Sequence, residues 1–223
     1  FSEQGWGSTA HHGAEQLSDG RLMLGVTLIG AILQASEGKS EAKDSRRSKV
    51  YVVTSEDDEM LEIAESLGAR SMKRDPYYAS DTVPMGDVYV YLASTLDCKD
   101  ILWTPVTSPL VQDKTLQACI DIYKHRDGYD SVVTVNLIKE YMWLEDKAIN
   151  YDPKCHPRSQ DLPDIYALNF AANILPRELM IKNKNILGDN FYSYMLDEIE
   201  AIDVDTEYEF MLAEFLYEKM RKE

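Results

Sequence analysis

The chain has 223 residues, 44% of them hydrophobic and 28% charged, with 39 Asp and Glu against 23 Lys and Arg for a net charge of -16. That length suits one α/β domain with room for a small insertion. The charge argues against nucleic acid or an anionic membrane surface as partner, since both need clustered cations, and no apolar run reaches the roughly 18 residues that span a bilayer.

The first 20 residues are polar and carry Gly5, Gly7, Gly13 and Gly20. They read as loop, and Phe1 in place of an initiator Met suggests that residues upstream are missing. Leu22 to Gln34 is apolar and reads as a buried helix, followed by a charged, Ser-rich loop from Glu37 to Lys49. A βα rhythm then begins. Lys49 to Thr54 is a β-branched run suited to a buried parallel strand. Ser55 sits where an N-cap belongs, with Asp57 and Asp58 in the first turn, where the helix dipole favours them. Met60, Ile63, Ala64 and Leu67 have helical spacing, and Gly68 ends the helix.

Val83 to Leu96 predicts a second helix, Asp100 to Trp103 a strand, Asp113 to Tyr123 a third helix capped by Asp113, and Ser131 to Leu137 a further strand. Val135 to Ile174, with Trp143 and three prolines, breaks the rhythm as an excursion from the sheet. Glu207 to Met220 predicts a closing helix. Alternating strands and helices imply a mostly parallel sheet with helices on both faces, whose ligands sit at the carboxyl ends of the strands. Cys98, Cys119 and Cys155 form no CxxC and no even framework, which fits a reducing compartment and a cytoplasmic location.

Five segments carry chemistry. In Asp203-Val204-Asp205-Thr206, residues two apart in extended chain point the same way, so both carboxylates can reach one Mg²⁺. The same segment can instead cap the closing helix through Asp205 or Thr206. Thr107 and Ser108 follow a strand at the ligand-binding end of the sheet and can hold a nucleotide, or form an ordinary turn. Ala79, Ser80, Asp81 and Thr82 look like an N-cap cluster. Arg158 and Gln160 share a polar loop, and Arg is the natural two-point partner of a carboxylate. His11 and His12 have no third ligand in view and read as a surface pair.

In order, these segments resemble the acylneuraminate cytidylyltransferases, the CMP-sialic acid synthetases, from about Gly20 to Glu214. Thr54-Ser55-Glu56-Asp57-Asp58 is similar to the family's S-T-D-D-E. Arg74 through Thr82 is similar to R-P-x-E-L-A-x-D-T, and Thr107-Ser108-Pro109-Leu110 to T-S-P-L. Arg158 through Pro163 is similar to R-R-Q-D-L-P, Leu168-Asn169 to the start of L-N-G-A, and Asp203 through Glu207 to D-I-D-T-E.

The resemblance implies a three-layer Rossmann-like nucleotidyltransferase fold in one domain over residues 1–223, with a dimerisation arm at 136–174 and a homodimer. It implies transfer of CMP from CTP to an acidic nine-carbon sugar, with pyrophosphate released. Mg²⁺ would lie on Asp203 and Asp205. The nucleotide would meet Gly5, Gly7, Ser8, Arg74, Ala79, Ser80, Asp81, Thr82, Thr107 and Ser108, and the sugar Arg158, Gln160 and Asn169.

The chain departs from the family at its opening loop, where A-R-G-G-S-K-G-x-P-x-K-N is replaced by a stretch with no Lys or Arg before Arg21, and no opening strand is evident. Phe170 stands for the Gly of N-G-A and Asn173 for a Tyr. These departures leave a catalytically inactive binding or dimerisation module as one alternative, and the Asp203–Asp205 pair leaves a DxD glycosyltransferase as another.

Overall fold

The computed structural model describes residues 49–125 and 127–220, with the backbone of three strands upstream. Of these, β1 (Glu15–Gln16) and β2 (Leu22–Met23) form an antiparallel pair, while β3 (Thr27–Ile32) enters the main sheet. The helix expected over Leu22 to Gln34 is therefore corrected to strand. A short apolar run reads equally as buried helix or buried strand. Here the open edges of two neighbouring strands decide, because each offers backbone groups that only a strand can satisfy.

Those neighbours are β4 (Lys49–Ser55) and β6 (Asp100–Thr104). Between them in sequence lie α1 (Asp58–Ser66), β5 (Arg70–Lys73) and α2 (Met85–Thr95). Then follow α3 (Asp113–Lys124), β7 (Ser131–Ile138), the hairpin β8 (Trp143–Leu144) and β9 (Lys147–Ala148), β10 (Ile165–Pro176), α4 (Arg177–Asn183), β11 (Phe191–Met195) and α5 (Glu207–Met220).

The seven-stranded sheet has the order β11-β7-β10-β6-β3-β4-β5. β4 with β5 and β7 with β11 pair parallel, and every other pair is antiparallel. β4, β5, β6, β7 and β11 thus share one direction, and β3 and β10 oppose it. The sheet is mixed, with one common carboxyl end for the five strands that agree.

Alternation along β4, β6 and β10 sends successive side chains to opposite faces. Val52, Ile101, Trp103 and Leu175 pack under α2 and α4, against Val88, Leu92 and Met180. On the other face Leu102, Val132 and Ile174 meet Cys119, Ile120 and Tyr123 of α3, and Val53 meets Met60, Leu61 and Ala64 of α1. This is the expected three-layer arrangement. All five residues of β6 are buried, as its uninterrupted apolar reading requires.

The caps differ in detail from the sequence expectation. Asp57, not Ser55, caps α1, its Oδ1 accepting from the backbone N–H of Glu59 at 2.8 Å and of Met60 at 3.2 Å; the Ser55 hydroxyl accepts from Asp57 N–H. Two residues between strand and helix leave Ser55 in the strand. Asp113 lies inside the first turn of α3, which has no side-chain cap from Gln112. The buried Glu200 carboxylate approaches there instead, 3.5 Å from Gln112 N and 3.9 Å from Lys114 Nζ.

β7 and β10 stay paired out to Ile138 and Ile165, so only residues 139–164 leave the sheet; the excursion expected over Val135 to Ile174 is corrected to this shorter span, because both its flanks pair as strands. Tyr141, Tyr151 and His156 pack together there, Tyr151 edge-on to both other rings and His156 tilted against Tyr141. The Asn150 carboxamide ties the segment together, accepting from Met142 N–H and donating to Glu140 O. Trp143, Leu144 and Ile149 remain exposed on it. No helix among the described residues is long and apolar enough to cross a membrane.

Candidate functional site

The site begins where β6 ends. Past Thr104 the chain turns through Pro105 and Val106 to Thr107 and Ser108. The antiparallel partner β10 carries Asn173 opposite Trp103, so its residues just before Asn173 flank that turn. There β10 leaves register with β7. Leu168 pairs with Val135 but Asn173 with Val133, so the residues between them form a bulge. Such bulges re-aim side chains beside functional sites. Ala172 N–H is taken by the Thr134 hydroxyl at 3.0 Å, which anchors the bulge, and Phe170 within it adopts φ +62°. A bulky residue in that left-handed region carries strain of order 1–3 kcal/mol, where a glycine would carry none.

The bulge grips the segment leading into α5. Asn169 Nδ2 donates to Ala201 O at 2.7 Å, and Val204 N–H donates to Thr107 O at 2.7 Å. Thr107–Ser108, Asn169 and Asp203 are therefore held together by hydrogen bonds, although they lie far apart in sequence.

The two sequence readings of the Asp203 segment prove compatible. Thr206 and Glu209 form a capping box at the start of α5: Glu209 N–H donates to the Thr206 hydroxyl at 3.3 Å, and Glu209 Oε2 accepts from Asp205 N–H and the Thr206 hydroxyl. Thr206 is the cap, which leaves both aspartate carboxylates uncommitted to it. Burial pushes the Asp203 carboxyl above its ordinary range, a hydrogen bond from Thr107 opposes this, and the neighbouring Asp205 and Glu209 charges add to the rise. Asp203 Oδ1 is buried with no protein partner, and among the described residues no cluster of three or more His, Cys, Asp or Glu side chains is arranged to hold a metal ion.

A second part of the site lies at the ends of β4 and β5. Arg74 follows β5, and its N–H bonds to Ser55 O. Its guanidinium Nη2 donates to Thr54 O at 3.0 Å, whereas Nε is buried and unpaired. Ala79 ends a 3₁₀ turn, and the Ser80 hydroxyl joins Tyr77 O and Thr82 Oγ1, with Asp81 exposed beside them. The N-cap role expected for this cluster is corrected: Pro84 occupies the cap position of α2, without a side-chain bond.

Arg158 and Gln160 are not joined to these groups. Both are exposed on the excursion, and Arg158 forms a two-point ion pair with Asp161 in its own turn, at 2.7 and 3.1 Å. Gly5, Gly7, Ser8, His11 and His12 lie outside the described residues.

One pattern that sequence alone did not reveal ties the parts together. Among the described residues, the buried side-chain polar atoms without a partner belong to Thr54, Arg74, Ser108, Asn169, Asn173 and Asp203. Buried polar groups are almost always satisfied in folded proteins, and these orphans fall on or just after β4, β5 and β6, on the adjoining β10 and on the segment before α5, toward the end of the sheet where α/β folds bind ligands.

Comparison with known proteins gives the same direction. No family model matches the chain. It is 25% identical over 203 residues to N-acylneuraminate cytidylyltransferase A of Danio rerio, covering 87% of this chain and 45% of that protein. It is 24% identical over 193 residues to post-translational flagellin modification protein B of Campylobacter coli, covering 79% and 80%. The N-acylneuraminate cytidylyltransferase of Oncorhynchus mykiss gives 24% over 203 residues. The chain thus spans about half the length of the fish relatives it matches.

Two solved structures share the fold at 10% identity and TM-score 0.52. One is a CMP-2-keto-3-deoxy-manno-octonic acid synthetase complexed with CTP, covering 76% of this chain and 80% of that one. The other is 4-diphosphocytidyl-2C-methyl-D-erythritol synthase of Anaerococcus prevotii, covering 73% and 77%. The fold is that of the Rossmann-like nucleotidyltransferases, and the motif resemblance to the cytidylyltransferases extends over most of the chain.

Proposed function

We propose that the chain is a CMP-sugar synthetase, transferring CMP from CTP to an acidic nonulosonic sugar with release of pyrophosphate. The observation that carries this reading is the set of unpartnered buried polar atoms spanning Arg74, Ser108, Asn169 and Asp203 at one end of the sheet.

In the reaction the sugar's anomeric hydroxyl oxygen forms a bond to the α-phosphorus of CTP. The bond from that phosphorus to the bridging oxygen breaks, the hydroxyl proton is lost, and pyrophosphate leaves. Arg74, braced on Thr54 O, keeps its Nε–H free for an acceptor on the base. The Ser108 hydroxyl has an open valence for the nucleotide. Asn169, fixed through its amide nitrogen to Ala201 O, presents its carbonyl oxygen to the sugar. Asp203 and Asp205 would hold Mg²⁺, which when bound offsets charge on the phosphates and orients them. In a chain of net charge -16 this matters more than usual, because the protein's own field repels a triphosphate. Rate enhancement then comes mainly from positioning and electrostatics. Gly5, Gly7 and Ser8 would add backbone N–H groups for the phosphates. The excursion at 136–174 would pair two copies into a homodimer, with Arg158 and Gln160 at the boundary to meet the sugar's carboxylate.

Pyrophosphate release from CTP and Mg²⁺ with a panel of nonulosonic acids tests the proposal. Turnover with at least one acid, abolished by EDTA, is the expected result. CTP binding without turnover on any acid would favour the inactive module, and selective binding of a nucleotide-sugar would favour the DxD glycosyltransferase.

A further inference from the structure

Glu200 is a buried carboxylate that the proposed reaction does not use. Its side chain is 2% exposed, and an ion so placed ordinarily needs a close partner of opposite charge. The partners it has are weak. Lys114 Nζ lies 3.9 Å from one oxygen and is itself 70% exposed, and Gln112 N lies 3.5 Å from the other. The Glu200 charge also adds to the burial that pushes the thiol of Cys119, further along α3, up to about 12. The start of α3 favours an anion, but a pairing this loose does not repay the loss of water.

The place of Glu200 between two loops is informative. It stands three residues before Asp203, in a turn closed on itself. Asp197 Oδ1 accepts from the N–H of Ile199 at 3.0 Å and of Glu200 at 2.8 Å, and Ala201 N–H donates to Asp197 O at 3.0 Å. Leu196 N–H fastens the turn to β7 through Val135 O. A displacement of Glu200 is therefore passed on to Asp203. Across from this turn, the stretch after β6 is tied to the same segment at two points. Val204 N–H donates to Thr107 O at 2.7 Å, and Glu200 meets Gln112 and Lys114. Ser108, whose hydroxyl is buried and unpartnered, lies between those points in the chain.

We infer that Glu200 is a positioning residue: by holding the start of α3 it fixes the spacing between Ser108 and Asp203, and so aligns the nucleotide with the aspartate pair. This rests on the CMP-transfer reading above. With the tie removed, the Thr107 contact alone joins the two loops on that side and acts as a hinge. A misplacement of about 1 Å between reacting groups costs on the order of 100-fold in rate, so a modest rotation about that hinge is enough to be read in turnover.

The test is Glu200→Met in the full chain, an apolar side chain of similar length, with Glu200→Gln as a second variant that keeps the shape and an acceptor but not the charge. Each is also made in an Asp203→Asn background. The melting temperature, the KM for CTP and the kcat of pyrophosphate release are measured, with the acid that the wild type turns over fastest. The melting temperature is expected to stay within about 3 °C of wild type, because the lysine left behind is already in water. The kcat falls by about tenfold or more while KM for CTP stays within about threefold. In the Asp203→Asn background the same substitutions change kcat by less than about twofold, since no aspartate remains there to be placed. Equal falls in both backgrounds would overturn the inference by showing a general loosening, and an unchanged kcat in the Asp203 background would overturn it outright. If Glu200→Met does not fold, Glu200→Gln carries the same comparison. A wild type that turns over no acid overturns the CMP-transfer reading itself, and this inference with it.

Discussion

Asp203 carries two opposed demands. Stability disfavours its charge, since burial and the neighbouring Asp205 and Glu209 all raise its carboxyl from the ordinary value of 3.8. Cation binding needs that charge. Asp203→Asn is therefore expected to keep or raise the melting temperature at neutral pH without divalent ions, and to lower turnover by at least about 100-fold. It should also remove the stabilisation that Mg²⁺ gives the wild type, as read by thermal unfolding with and without MgCl₂. A fall in melting temperature with undiminished turnover would show that Asp203 is structural. Sequence pattern named this residue among the candidates, but its buried, unpaired Oδ1 depends on Thr107 and Val204 lying beside it, which spacing along the chain does not encode. Phe170 shows the reverse: its identity was plain, but the left-handed φ that makes it strained was not.

Among elements, α5 shows how one segment serves packing and site together. Its Thr206–Glu209 capping box fixes the direction in which the chain enters the helix, and so the angle at which Asp203 and Asp205 leave it. Thr206→Ala should cost about 1 kcal/mol of stability in urea unfolding, with an unchanged m-value. Because Asp205 N–H is bonded to Glu209, the same change should weaken Mg²⁺ dependence of turnover without abolishing it; an unaltered Mg²⁺ requirement would separate cap from site. Helices α1, α2, α3 and α5 were legible to within a few residues because amphipathic spacing is a local property, whereas the seven-residue α4 was not expected. β3 was misread as helix because its residues suit either state, and the vacant edges of β4 and β6 that select strand are a non-local fact.

Taken whole, the molecule presents its exposed apolar side chains unevenly. Trp143, Leu144 and Ile149 stand out on the excursion, and Tyr166 and Leu168 on the adjoining end of β10. Exposed apolar groups gathered in this way mark interaction surfaces. If the excursion pairs two copies, light scattering on the purified chain should give a dimer, and the double substitution Trp143→Glu with Leu144→Glu should give a folded monomer. A wild-type monomer at micromolar concentration would remove the dimer from the proposal. The variant should also show whether Arg158, paired with Asp161 inside one chain, needs a second copy to meet the sugar.

By itself the sequence determined the α/β class, the presence of α1, α2 and α3, the boundaries of α5, the strands β4, β6 and β7, and the six segments from Thr54 to Glu207 that resemble a cytidylyltransferase. These are carried by periodicity and by short motifs, both of which depend on residues near one another in the chain. Only the tertiary structure decided that the sheet is mixed, that Thr206 rather than Asp205 caps α5, and that Ser108, Asn169 and Asp203 share unpaired atoms in one place while Arg158 is engaged elsewhere. It also raised Asn173 from a substitution to a buried carboxamide in want of a partner. Pairing and orphanhood are properties of groups brought together from distant positions, and no local pattern reports them.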